Sequence, residues 1–197
     1  MTRVAFYMVV SSLALTAAAP SCRAQATPEQ AIVRAIGSAD QLCTLAAPQV
    51  NVGGANNIGS VAGSTVSIAD LSDDQTLSTR ATDFDVSFAA MCNFDHRVTL
   101  SSDRGGLWLQ GVAAPPAGFA DAVPYQASLV WADGSQILQA NAASEGEIDS
   151  ALDVNRPAYG DIVIHVHVDQ GATNAGSGAP LVAGAYEDIL RVTLGAQ

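Results

Sequence analysis

Two histidines set two apart are the most suggestive pair in this chain of 197 residues. His165 and His167 lie in the run DIVIHVHVD, and on an extended strand both rings project to one face, with Val163 and Asp169 beside them. Such an H-x-H pair can bind zinc or copper through imidazole nitrogens. The apolar set of the run, Ile162, Ile164, Val166 and Val168, falls on the opposite face. That alternation reads the two imidazoles as solvent-facing polar residues on the outside of a sheet. A copper–zinc dismutase site is excluded by count, because it needs several more histidines than the three present. The chain is therefore expected to carry no cofactor, and His165 and His167 stand as the one pair that could make a metal site.

Nucleophilic and acid–base catalysis find no comparable signal. A serine in a G-x-S-x-G elbow is absent, and Gly59-Ser60 and Gly63-Ser64 fall in a turn region. Asp73-Asp74 and Glu145/Glu147 sit in polar, loop-like stretches, where carboxylates are solvated. Asp103, Asp121 and Asp133 occupy turns and are expected to fix backbone geometry. No D-x-D-x-D-G run and no glycine-rich phosphate cradle occur. The chain is read as non-enzymatic.

The elements that would position these residues begin after a leader. Arg3 supplies a positive start, Val4 to Ala19 an apolar stretch, and Ala24-Gln25-Ala26 an A-x-A cleavage site. This three-part pattern is that of a secretory signal peptide over residues 1–26, so the mature chain is expected to begin at Thr27 in an exported protein. An uncleaved anchor would need a longer apolar run, and a lipoprotein would need a better lead-in before Cys22. Cleavage removes Arg3, Arg23 and Cys22 and no acid, so the net charge goes from −11 to −13. There is no lysine, and 15 Asp and 4 Glu face the arginines. That balance excludes nucleic acid and an anionic membrane surface as partners, since both need clustered positive charge. Cys43 and Cys92 remain, an even count in an oxidising compartment, and are expected to form a disulfide. No CxxC or CxH spacing supports a metal reading of the pair.

Two readings fit Thr27 to Leu42. Thr27-Pro28-Glu29 opens like a helix, yet Ala31, Val33 and Ala35 alternate with Ile32, Arg34 and Ile36 as an extended segment would. Beyond Cys43 the pattern is that of strands. Weak β stretches lie around Val50-Val52 and Val66-Ile68. In DFDVSFAAMC, Phe84, Val86, Phe88, Ala90 and Cys92 share a face. In RVTLS, Val98 and Leu100 point inward. VPYQASLVWADGSQILQA reads as a hairpin with Asp133-Gly134 at its turn, and Val123, Tyr125, Ala127, Leu129 and Trp131 on one face. Residues 141–160 read as a long polar loop with a helical turn near Glu147-Leu152. GAYEDILRVTL closes the chain as a strand in which Tyr186, Leu190, Val192 and Leu194 share a face and Asp188 interrupts it. About seven to nine short strands between turns predict an all-β sandwich, in which two half-buried sheets cover each other's apolar faces.

Three stretches resemble the spore coat protein U domain family, the pilin-like subunits of archaic chaperone–usher pili. They are QLCTL, DFDVSFAAMCNFDHRVTLSSDRGGL and GAYEDILRVTL, with VPYQASLVW a looser match. The resemblance spans about Leu42 to Leu194 and implies an incomplete immunoglobulin-like sandwich that lacks its last strand. It implies a groove filled first by a periplasmic chaperone and then, at the outer-membrane usher, by the N-terminal extension of a neighbouring subunit. On that pattern Cys43 and Cys92 match the family disulfide, residues 27–42 are the donor extension with Ala31, Val33 and Ala35 as plugs, and residues 43–197 are the sandwich. Tyr186, Leu190, Val192 and Leu194 border the acceptor groove. The expected function is a structural or adhesive subunit of a surface fibre, reached through the periplasm. The alternative is a self-contained secreted or periplasmic binding module.

Overall fold

A computed structural model of the chain describes residues 34–53, 57–111 and 114–197. The expected leader (residues 1–26) and two of the expected plug residues, Ala31 and Val33, lie outside the described residues. The chain divides into two compact units, Met1–Ser38 and Ala39–Gln197. Of the first unit, residues 34–38 are irregular and exposed, including Ala35. No helix occurs among the described residues, so none there is long and apolar enough to cross a membrane.

The second unit is all-β, and its strands run in chain order. They are β1 (Cys43–Leu45), β2 (Gln49–Asn51), β3 (Ile58–Ala62), β4 (Thr65–Ile68), β5 (Thr82–Cys92), β6 (His96–Ser102) and β7 (Leu107–Leu109). Then follow β8 (Ala122–Val123), β9 (Tyr125–Trp131), β10 (Gly134–Ala140), β11 (Ile148–Val154), β12 (Ala158–Val168), β13 (Tyr186–Glu187) and β14 (Leu190–Ala196). The seven elements of seven or more residues, β5, β6, β9–β12 and β14, are the framework. The others are fragments of two to five residues, which is why a count of seven to nine strands undershoots.

Four antiparallel sheets result. The largest has the order β1-β5-β12-β9-β10, with β2 also pairing to β5. A second has the order β11-β6-β14, a third β13-β7-β8, and β3-β4 is a separate hairpin. Alternation in sequence explains the burial. Ile162, Ile164, Val166 and Val168 of β12 are buried with Ala127, Leu129 and Trp131 of β9. They share one core with Val98 and Leu100 of β6 and Val154 of β11. Period-2 strands thus place their apolar sets on one side, and two sheets bury those sides together.

Four local expectations are corrected. Residues 34–42 form neither helix nor strand. The stretch 141–160 is not a long loop with a helical turn: β11 fills its middle and pairs with β6 from Ile148↔Ser102 to Val154↔His96. Its alternation, Ile148, Leu152 and Val154 inward against Asp149 and Asp153 outward, is hidden by acids and by Ser150. The closing strand breaks at Asp188, so Tyr186 pairs with β7 whereas Leu190 to Ala196 pair with β6. The β9–β10 loop is Ala132-Asp133, with Gly134 already opposite Trp131. Ala132 takes the positive φ of 52°. Gly134 answers a different need: a Cβ there would stand 2.8 Å from Cδ1 of Leu152 on β11.

Candidate functional site

Two edges of the second unit are built differently. At one, β10 lies against β11. The Ser150 hydroxyl donates to the Ile137 carbonyl at 3.1 Å, Leu152 packs at Gly134, and Arg156 pairs with Asp133. Behind this seam the Trp131 indole N–H donates to Nε2 of His96 at 2.7 Å, and Nδ1 of His96 lies 2.8 Å from the Phe94 carbonyl. The network therefore assigns the neutral Nδ1–H tautomer. Both rings are almost wholly buried. His96 is thus a core residue and takes no part in a histidine cluster.

At the other edge, β14 pairs with β6 on one side only, and no strand is hydrogen-bonded to its outer side among the described residues. In the large sheet β1 and β2 both pair with β5, and β1 approaches β14. Leu190, Val192 and Leu194 point inward but stay half-buried, as do Phe84, Val86 and Phe88 of β5 and Val50 of β2. The side chains on β5 and β14 pack on the core without being sealed by it. The four groove-edge residues expected from the sequence therefore all face the core, and the three on β14 line an open edge. Tyr186 lies on another sheet, its hydroxyl donating to the Val182 carbonyl at 2.8 Å.

Cys43 and Cys92 form a disulfide, at positions directly paired between β1 and β5. The bond fixes the strand that borders the opening. The backbone just before it is held by Asn93, whose amide donates to the Asp40 carbonyl at 2.8 Å while its side-chain oxygen accepts from the Leu42 N–H at 2.8 Å.

Asp188 does more than interrupt a strand. Its carboxylate accepts from the Tyr125 hydroxyl at 2.6 Å, the Ser102 hydroxyl at 2.5 Å and the Arg104 N–H at 3.1 Å. Three elements are tied at the point where the chain passes from the third sheet to the second. Burial, followed by the bond to Asp188, pushes the Tyr125 phenol far above its ordinary value. Sequence reasoning missed this role; a lone acid at an inward position, with a tyrosine and a serine inward elsewhere, was the available signal.

On the outer face of the large sheet a polar cluster assembles from two runs 80 residues apart. The β5–β12 register sets His165 opposite Asp85 and His167 opposite Asp83. Nδ1 of His165 lies 2.7 Å from Asp85, and Nδ1 of His167 lies 2.5 Å from Asp83. Nε2 of His167 lies 3.0 Å from Asp169. Hydrogen bonding to Asp83 first, and to Asp169 second, holds the His167 imidazole above its usual value. The paired carboxylates and serines weighed for catalysis stay apart: Asp73 caps the Gln75 and Thr76 N–H groups at 3.0 Å each, and Glu145 pairs with Arg104. Comparison with protein-family models, with curated proteins and with solved structures finds no match.

Proposed function

We propose that this chain is an exported, non-enzymatic structural or adhesive subunit of a surface fibre. Its fold is then an incomplete immunoglobulin-like, pilin-like sandwich, completed by a strand donated from another chain. The reading belongs with the resemblance to the spore coat protein U domain family. One observation carries it: the outer edge of β14 has no partner among the described residues, and Leu190, Val192 and Leu194 along it are only half-buried.

The physical logic is that of an unfinished sheet. An edge strand presents free N–H and C=O groups in a row, and an apolar edge left open invites aggregation. A donated strand satisfies those groups and seals the side chains beneath. Sealing each half-exposed aliphatic side chain stabilises the complex by about 1 kcal/mol, before the main-chain hydrogen bonds are counted. The occupant in the periplasm is a chaperone strand, and in the fibre it is the N-terminal extension, residues 27–42, of a neighbouring subunit delivered through an outer-membrane usher. The high acidity and the absence of lysine suit an exported surface and give nucleic acid nothing to bind.

The test is co-expression with a chaperone of this class, followed by assembly. The full chain should yield a stable chaperone complex and then ladders on gels run without boiling. A variant lacking residues 27–42 should keep the chaperone complex and lose the ladders. Ladders from the deletion variant, or a full-length chain that is a stable chaperone-free monomer, would overturn the reading and favour a self-contained binding module.

A further inference from the structure

We infer that Asp83, His165 and His167 form a binding site for a single zinc ion on the outer face of the large sheet. Their candidate ligand atoms all lie within 4.8 Å of one another. Nε2 of His165 and Nδ1 of His167 both aim at Oδ1 of Asp83, at 3.4 Å and 2.5 Å. Two ligand atoms each about 2.1 Å from a tetrahedral zinc ion stand roughly 3.4 Å apart. The first separation already has that value. The second needs an opening of about 1 Å, which solvent-facing side chains can make by turning.

The second nitrogen of each ring strengthens the assignment. Nδ1 of His165 bonds to Asp85 at 2.7 Å, and Nε2 of His167 bonds to Asp169 at 3.0 Å. Each imidazole therefore presents one nitrogen to the shared Asp83 and has the other held by a carboxylate of its own. That is the carboxylate–histidine arrangement by which metal sites fix ring orientation and raise ligand basicity. Simple ion pairing of two histidines needs two carboxylates, whereas three converge here. Among the described residues, the ion-pair partners of Asp83 and Asp85 are these two imidazoles alone. The nearby Arg80 is directed instead at Asp70 and Asp74. With neutral imidazoles the three aspartates repel one another, and a dication relieves that repulsion. Two imidazoles and a carboxylate leave one position of a tetrahedral ion for water. The depression beside His165, lined also by Asn51, Gly53 and Asn57, gives that position room.

The ligand is a borderline divalent cation, since imidazole donors favour zinc over magnesium. Asp83, His165 and His167 are the ligands; Asp85 and Asp169 position the rings. The experiment is titration calorimetry of the disulfide-bonded, untagged mature chain with zinc chloride, after stripping with chelator. One saturable site is expected, with no heat from magnesium. His165→Ala/His167→Ala should abolish it, and Asp83→Asn should weaken it at least tenfold. Asp85→Asn/Asp169→Asn should weaken it by about 10- to 100-fold. Unchanged melting of each variant in chelator shows that folding is intact, as positions outside the core should allow. No saturable heat in the wild type, or equal heat in the double histidine variant, overturns the site. Unchanged affinity in Asp83→Asn overturns the three-ligand assignment. Failure of fibre assembly has no bearing on this result, because the cluster lies on the outer face of the large sheet and is titrated on the mature chain either alone or in its chaperone complex, with the chaperone alone as blank.

Discussion

The two edges of the second unit solve the same problem to different depths. Where β10 meets β11, a glycine lets Leu152 in, a side-chain bond crosses the gap, and a buried indole–imidazole pair backs it. Where β1 approaches β14, the apolar residues stop at half-burial and the outer edge of β14 stays unpaired among the described residues. Aliphatic content does not separate the edges, since β14 carries Leu190, Val192 and Leu194. What differs is the second layer that should close over them. On the proposed function, the unfinished edge is the place for a strand from outside, at the cost of an adhesive surface until that strand arrives.

The comparison breaks most severely if the disulfide carries little stability. Its sequence separation of 49 predicts, on the loop-closure model, that Cys43→Ser/Cys92→Ser loses about 4 kcal/mol in urea unfolding. An unchanged midpoint would mean that the open edge is held by other means. Next, truncation in the closed core beside the sealed edge should cost more than truncation on the open edge. Leu129→Ala removes a fully buried side chain from β9, with an expected loss of about 3 kcal/mol. Val192→Ala, on the open edge, should lose about 1 kcal/mol in the isolated chain. In a complex with the donated strand that loss should grow. Equal losses for Leu129→Ala and Val192→Ala would mean that the edge is already covered.

The smallest effect lies outside both edges and serves as a control. Asp73 accepts N–H bonds from Thr76 and Gln75, which hold its carboxyl below its ordinary value of 3.8. Its contribution is therefore fully present above that value and is lost as pH falls through the lower, folded value. Asp73→Asn should flatten the acid limb of a stability–pH curve slightly, by lowering stability at neutral pH and leaving it unchanged at the acid end. An equally steep limb would show that the turn is held without the carboxylate.

The strands β5, β9 and β12 are legible in the sequence because each has one apolar face, and β6 and β10 because Val98 with Leu100, and the turn at Asp133-Gly134, mark them. The Cys43–Cys92 bond follows from cysteine parity once the leader is set aside. The strand β11 was hidden because its outward residues are acids and Ser150 stands among its inward ones, so it resembles a solvated loop. The break at Asp188 was half visible as an interruption, but its three donors come from distant elements and no spacing reports them. Gly134 suggested a turn, whereas its reason is the approach of Leu152 from another strand. The histidine pair was legible as a pair. Asp169 was visible beside it, but Asp83 and Asp85 were not, because DFD and HVH meet only through the β5–β12 register, and register is a tertiary property.

The position of the disulfide has a mechanical consequence. The chain enters β1 at Cys43, the first residue of a three-residue strand. Any pull on the segment before it reaches the covalent link after a single strand position. The load then passes directly into β5, an eleven-residue strand at the heart of the large sheet. The few hydrogen bonds of β1 are never placed in series to be unzipped one by one. A chain linked to others through its leading segment would thus bear tension on a bond rather than on a frayed edge.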